Sequence, residues 1–286
     1  MSIQLLALDL DGTLLNSRGK LTERTREALA ESQRVGVKAV LVTGRRFRDA
    51  RPWALELGLD VPVIAHNGAL TKHARDLKTV ASVPLPVSVA RAALEIGRMM
   101  QVDMLLSDDP DGEGVMVYDH LSGDNQALLK YVAWARHVHG DEGSGVLEVD
   151  SLEDYLDHDP VNVAFSGSCQ TMIDLEQVML RQLGDTVKIF RTSYPLKNFA
   201  LLDLVHPDAS KGAGVAAAAR ELGIEREHVL AIGDNFNDLE MLRFAGVGIV
   251  MANAQKELRE LPDFFITRSN DEDGVALAIE KFVLDR

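Results

Sequence analysis

The sequence predicts a parallel α/β core interrupted by an inserted α+β domain, on three observations. Short apolar runs alternate with amphipathic stretches at the start of the 286-residue chain, the pattern of a parallel sheet covered by helices. The same alternation returns after residue 210. Between the two blocks the rhythm changes to helix–strand–strand units around Gly/Pro-containing turns, which suit antiparallel pairing.

The elements follow in order. SIQLLAL (2–8) reads as a buried strand, and TERTREALAESQRVG (22–36) as an amphipathic helix ending at Gly36. VKAVLVTG (37–44) is a second strand, a helix runs to about Leu57, and VPVIAHNG (61–68) is a third strand. In the middle, the helix VSVARAALEIGRMM (87–100) precedes the strands DMLLSD (103–108) and GVMVYD (114–119). Residues 122–169 carry only weak periodicity, with GDEGSG (140–145) a loop. A helix near 170–183 leads to the strands VKIFRT (187–192) and FALLDLV (199–205). The closing block reads as helix 211–223, strand 228–234, helix 237–246, strand 247–253 and helix 271–283. This places a core in residues 1–84 and 207–286 and an insert in 85–206, with crossings near Pro84–Pro86 and Pro207–Ser210.

Composition narrows the function. A net charge of −14 argues against a general binder of nucleic acid, and 5% aromatic residues argue mildly against base-stacking platforms. Any anionic substrate then needs a local arrangement of cations. The single cysteine, Cys169, excludes an intramolecular disulfide and a thiolate metal cluster, and reads as a packing residue. No signal peptide and no apolar span of membrane length is visible, so the expectation is a cytoplasmic protein without a membrane partner.

In an open parallel sheet, ligands bind at the carboxyl ends of the strands. Asp9, Thr43, Asn67 and Asp234 each follow such a strand, and Lys211 opens a helix on the same rim. Taken singly, Asp9–Asp11 with Gly12 is a turn and GDNFND (233–238) is a loop with a helix cap. Together, Asp9, Asp11, Asp234 and Asp238 on one rim repel one another unless a cation neutralises them. Hard oxygen ligands without His or Cys suit Mg²⁺. A carboxylate ~4 Å from one unit of negative charge meets roughly 4 kcal/mol of repulsion at an effective dielectric of 20, so a nucleophilic Asp needs the metal and Lys211 to approach a phosphate.

DLDGT (9–13), VTGR (42–45), Lys211 in SKG and GDNFND (233–238) resemble, in order, the four motifs of the haloacid dehalogenase superfamily. NGA (67–69), MANA (251–254) and NDEDGVALAIEK (270–281) look like its Cof-type phosphatases, although Ala252 stands where that pattern usually has Gly. The resemblance implies a Rossmann-like core with a type-2 (C2B) cap that closes over the rim, excludes water and reads the substrate. It further implies Asp9 as the nucleophile that forms an aspartyl phosphate, and Asp11 as the general acid and base. Thr43, Gly44 and Lys211 would bind phosphate, with Asn237 on phosphate or metal water. The Mg²⁺ set would be Asp9, the Asp11 carbonyl and Asp234, with Asp238 direct or through water.

Lesser candidates remain. Arg45 and Asn67 are placed to touch substrate, against a solvated helix start and a simple turn. Arg46 suits the helix start, His66 strand-end packing, and Trp53, Trp134 and Met99–Met100 helix-face packing. The loops around Asp108–Gly114 and Arg191–Asn198 read first as ordinary polar turns and second as substrate readers, RTSYPLKNF (191–199) having side chains, Arg191 among them, that suit a sugar or nucleotide phosphate. The expected function is an Mg²⁺-dependent phosphatase of small phosphorylated metabolites: sugar phosphates, nucleotides or cofactor phosphates. A phosphosugar mutase and a non-catalytic phospho-accepting module are the alternatives, and the oligomeric state is open.

Overall fold

The structure, a computed structural model, describes residues 2–286, with the backbone alone described at 138–142. In chain order it runs β1 (Leu5–Asp9), α1 (Glu23–Arg34), β2 (Lys38–Val42), α2 (Phe47–Glu56), β3 (Pro62–Ala65), β4 (Leu70–His73) and β5 (Thr79–Ser82). It continues through α3 (Val87–Met99), β6 (Asp103–Asp108), β7 (Val115–Tyr118), α4 (Gln126–Gly143), β8 (Val146–Glu148), α5 (Leu152–Tyr155), β9 (Asn162–Gly167), α6 (Cys169–Leu183), β10 (Lys188–Tyr194) and β11 (Phe199–Val205). The last segment holds α7 (Lys211–Glu221), β12 (Val229–Gly233), α8 (Leu239–Phe244), β13 (Val247–Val250), α9 (Lys256–Arg259), β14 (Phe265–Ile266) and α10 (Gly274–Phe282). Two compact units result: residues up to Ala81 with Ser210–Arg286, and Ser82–Ala209.

The first unit is built on an eight-stranded sheet of order β14-β13-β12-β1-β2-β3-β4-β5. β1 lies between β12 and β2 and is parallel to both, with Leu5 opposite Val229 and Lys38. All five of its residues are buried, as a continuous apolar run in a doubly covered sheet requires. α1 forms because Thr22 caps it, Glu23 and Arg34 complement its dipole, and Thr25, Ala28, Leu29 and Ser32 give it one buried stripe.

The expected strand 61–68 ends earlier, at Ala65. His66, Asn67 and Gly68 take φ values of 50°, 54° and 94°, which reverses the chain. β4 then returns antiparallel to β3. Ala252, by contrast, is not among the positive-φ residues, so a side chain there fits without strain.

The second unit is a six-stranded sheet of order β10-β11-β9-β6-β7-β8, antiparallel except for the β7–β8 pair. Strand alternation divides its side chains between two cores. Met104, Phe165 and Leu202 pack with Leu94 of α3 and Met172 of α6. On the other face Leu105, Met116 and Ala164 pack with Leu128 and Val132 of α4. The weakly periodic stretch therefore contains a long helix, and α4 runs to Gly143 through most of the expected GDEGSG loop. Trp134 and Met99, expected in packed faces, are 51% and 68% exposed.

Candidate active site

The end of β1 carries Asp9, which is 4% exposed. A strand buried on both faces and held between two parallel neighbours is a rigid mount for it. Lys211 reaches it from the first position of α7, where the Ser210 hydroxyl caps the helix by accepting from Ala213 N at 3.0 Å. Lys211 is 2% exposed. Its Nζ donates to Asp9 Oδ1 at 2.6 Å and to Asp238 Oδ1 at 2.5 Å. The start of α7 lies against the β3 reversal, where a Cβ on Gly68 would stand 1.9 Å from Ser210 O. A glycine with φ 94° is thus what lets Lys211 arrive.

Asp234 follows β12 and Asp238 lies in the turn into α8. The Asp238 side chain is fully buried and both of its oxygens are engaged: Oδ1 by Lys211, Oδ2 by the amides of Asp234 and Asn235 at 2.9 and 3.0 Å. Asp234 Oδ1 accepts from the Thr13 hydroxyl at 3.0 Å, and Asn253 Nδ2 lies 3.4 Å from Oδ2. Asn253 also donates to Gly12 O at 2.8 Å. Gly12 has φ 84°, and a Cβ there would come within 2.3 Å of Asp234 Oδ2. Thr13 and Asn253 were not among the expected site residues. Asn253 was findable, since it follows β13 on the same rim.

The expected phosphate side assembles from the ends of β2 and β3. Thr43 is 1% exposed, its N–H donates to Ile64 O at 2.8 Å, and its hydroxyl accepts from Arg45 N at 3.1 Å. Asn67 is 3% exposed and lies against Gly44, and its Oδ1 accepts from Asn237 Nδ2 at 2.9 Å. Asn237 Oδ1 is buried with no hydrogen-bond partner among the described residues. An orphaned acceptor suits a water better than a phosphoryl oxygen, which is itself an acceptor.

Asp11 lies outside this buried cluster, its side chain 58% exposed. The Arg45 fork holds it: Nε and Nη2 donate to Asp11 Oδ2 and Oδ1 at 2.7 and 2.6 Å. The structure thus places Arg45 on the expected proton carrier. Arg46 pairs with Asp49 at the start of α2, and buried His66 accepts from Phe47 N at 3.3 Å. In the insert, Arg191 is bonded to Glu176 at 2.7 Å and to Ser193 at 3.1 Å.

Charge crowding is the site's main electrostatic feature. Burial pushes the Asp9 carboxyl well above the usual carboxylate range; Lys211 opposes the push, while Asp238 and Asp234 add to it. Asp234 is raised to about 6, by burial and then by Asp238. Burial alone would lower the Lys211 ammonium, but Asp238 and Asp9 overcome it and hold the group above its ordinary value. Carboxylate oxygens of Asp9, Asp234 and Asp238 all lie within 4.8 Å of one another. Three carboxyl groups share one ammonium, so full ionisation would leave a formal excess of two negative charges in a mostly buried pocket, which is the state that the raised carboxyls resist. An all-oxygen donor set with this excess fits a hard divalent cation such as Mg²⁺. No helix among the described residues is long and apolar enough to cross a membrane.

The chain resembles known proteins along nearly its whole length. A family model for haloacid dehalogenase-like hydrolases matches residues 6–279. The chain is 29% identical to the pyridoxal phosphate phosphatase YbhA of Escherichia coli (strain K12), over 96% of this chain and 97% of that one. It is 28% identical to the 5-amino-6-(5-phospho-D-ribitylamino)uracil phosphatase YcsE of Bacillus subtilis (strain 168), over 99% and 97%. Among solved structures, a haloacid dehalogenase-like hydrolase from Bacteroides thetaiotaomicron superposes with a TM-score of 0.80 at 29% identity, covering 98% of this chain and 99% of that one.

Proposed function

The chain belongs to the haloacid dehalogenase-like hydrolases, and from that premise we propose an Mg²⁺-dependent phosphatase of small phosphorylated metabolites that works through Asp9. The observation that carries the reading is the buried Asp9–Lys211–Asp238 array beside Asp234 at the end of β1. It fixes a carboxylate on a rigid strand end and surrounds it with an excess of negative charge that a cation has to balance.

In this reading Asp9 attacks phosphorus in line, and the bond from phosphorus to the leaving alcohol breaks as the alcohol takes a proton from Asp11. Water then attacks the aspartyl phosphate and gives its proton to Asp11; inorganic phosphate leaves and Asp9 is regenerated. Both Asp11 oxygens lie on Arg45, so Asp11 leaves that pair before it carries a proton. The Thr43 hydroxyl accepts from Arg45 N, which keeps its own proton for a phosphoryl oxygen, and Gly44 and Lys211 add donors as charge redistributes there. Asp9, Asp234 and the Asp11 carbonyl would hold Mg²⁺. Asp238, with both oxygens engaged, is the support behind them. When bound, Mg²⁺ supplies positive charge to the phosphoryl oxygens.

The names of YbhA and YcsE carry two different small phosphorylated metabolites, which supports the substrate class and leaves its member open. We assign the choice among substrates to the insert. The test is phosphate release from a panel of sugar, nucleotide and cofactor phosphates, with and without Mg²⁺, beside Asp9→Asn. Mg²⁺-dependent release that Asp9→Asn abolishes is the expected result. Release unaffected by either change would overturn the reading; a bisphosphate requirement without net release would replace it with a mutase.

A further inference from the structure

The insert contains a cavity of about 810 Å³ built from its own residues, within the 300–1,000 Å³ range typical of small-molecule sites. A buried polar network forms one wall. Asp103, Asn125 and Ser166 are 5%, 8% and 1% exposed. Asp103 accepts from Asn125 Nδ2 at 2.6 Å and from Ser122 N at 2.7 Å, so its charge is satisfied within the fold. Ser166 Oγ accepts from Asn125 Nδ2 at 2.7 Å, which leaves the hydroxyl proton to donate elsewhere.

Lys130, on α4, and Lys197, in the β10–β11 turn, also line the cavity. Among the described residues neither lies within ion-pair distance of a carboxylate, whereas Lys78 and Lys256 pair with Glu221 and Glu260. Phe199 adds an apolar wall, its ring stacked on Tyr194 at 6.0 Å between centroids, and Lys197 stands over the Tyr194 ring at 5.9 Å. Asp124 also lines the cavity but is exposed to solvent. The chain carries −14 overall, yet that field is screened beyond roughly 8 Å at physiological ionic strength, so the charged groups of the lining itself govern what binds: Lys130 and Lys197 beside Asp124, all three exposed, with Asp103 spent on Ser122 and Asn125. A volume this large holds far more than a lone phosphate, and its hydrogen-bonding wall suits hydroxyls.

We propose that this cavity binds a small phosphorylated metabolite, with the phosphate on Lys130 and Lys197 and the hydroxyls on Ser166 and Asn198, while Asn125 holds the wall in place. The site uses insert residues alone and stands independently of the assignment of Asp9. It also gives a role to the 191–199 segment that Arg191, bonded to Glu176 and Ser193, does not supply.

The full chain carrying Asp9→Asn, which prevents turnover, is titrated with ribose 5-phosphate by NMR while the side-chain amide signals of Asn125 and Asn198 are followed. The expected result is a saturable shift that weakens at least ten-fold when Lys130→Ala and Lys197→Ala are added, with the signals of Gly12 and Gly44 responding as before. Both lysines are exposed, so the double variant folds; Lys130→Gln with Lys197→Gln checks that charge rather than bulk is responsible. No saturable shift at Asn125 and Asn198 overturns the proposal. So does equal affinity in the double variants, or equal affinity for unphosphorylated ribose. Failure of the Asp9 assignment would show instead as inorganic phosphate released from ribose 5-phosphate during the titration, read by ³¹P NMR on the same sample, so the two readings fail separately.

Discussion

The two units treat their buried acids differently. In the insert, Asp103 is satisfied by a backbone amide and Asn125, and Asp108 accepts from the Tyr155 hydroxyl at 2.5 Å and contacts His158 Nε2 at 2.7 Å. Asp103 and Asp108 each close a local network. At the end of β1, Asp9, Asp234 and Asp238 share one ammonium, and burial with mutual repulsion drives Asp9 and Asp234 up. Buried acids that are fully paired hold a fold together; buried acids left in excess cost stability and mark a place where something else binds.

Substitutions sharpen this contrast. Asp9→Asn has the largest expected effect on function: phosphate release falls by about 10⁴-fold or more, as for loss of a nucleophile. Its thermal midpoint holds or rises, because one crowded charge is gone; calorimetry beside the assay checks both. Lys211→Met breaks the array from the other side. It strands Asp9 and Asp238 and is expected to cost about 3–5 kcal/mol in denaturant unfolding. Asn125→Ala opens the insert network and is expected to cost about 1–3 kcal/mol, with the hydrolysis of a small aryl phosphate unchanged. A comparable loss of turnover in that variant would mean that the two regions are not distinct in the way described.

Asp203 is the insert's exception and gives the smallest, pH-dependent effect. Burial raises its carboxyl to about 7, against a hydrogen bond from Asn162 Nδ2 at 3.1 Å that lowers it. A folded pKa above the unfolded one means that its contribution is fully present below about pH 4 and is lost as pH rises through 7. Asp203→Asn is therefore expected to stabilise by about 2 kcal/mol at pH 8, roughly half of what the full shift would give because the half-buried side chain is partly screened by solvent, and by nearly nothing at pH 4. Denaturant midpoints across that range read it. A gain independent of pH would remove the titration from the account.

The contrast also explains what was legible in the sequence. β1, β2 and β12 are unbroken apolar runs, and the rule that parallel sheets bind ligands at their carboxyl ends leads from them to Asp9, Thr43 and Asp234. β4 was hidden because His66 and Asn67 adopt positive φ without being glycine. α4 was hidden because Gly140 and its short polar neighbours read as a loop. The Arg45–Asp11 fork spans 34 residues of sequence, and no local pattern announces it. Antiparallel strands supply no rim rule, which is why the insert's buried networks had to be read from the structure.

The central claim is that Asp9 takes the phosphoryl group. Rapid mixing with a turned-over phosphate ester and Mg²⁺, acid quenching within one turnover and mass spectrometry of the peptide containing Asp9 test it most directly. A phosphorylated Asp9 that forms and decays at the rate of phosphate release, and is absent from Asp9→Asn, is the predicted result. Phosphate release without any phosphorylated Asp9, persisting in Asp9→Asn, would contradict it.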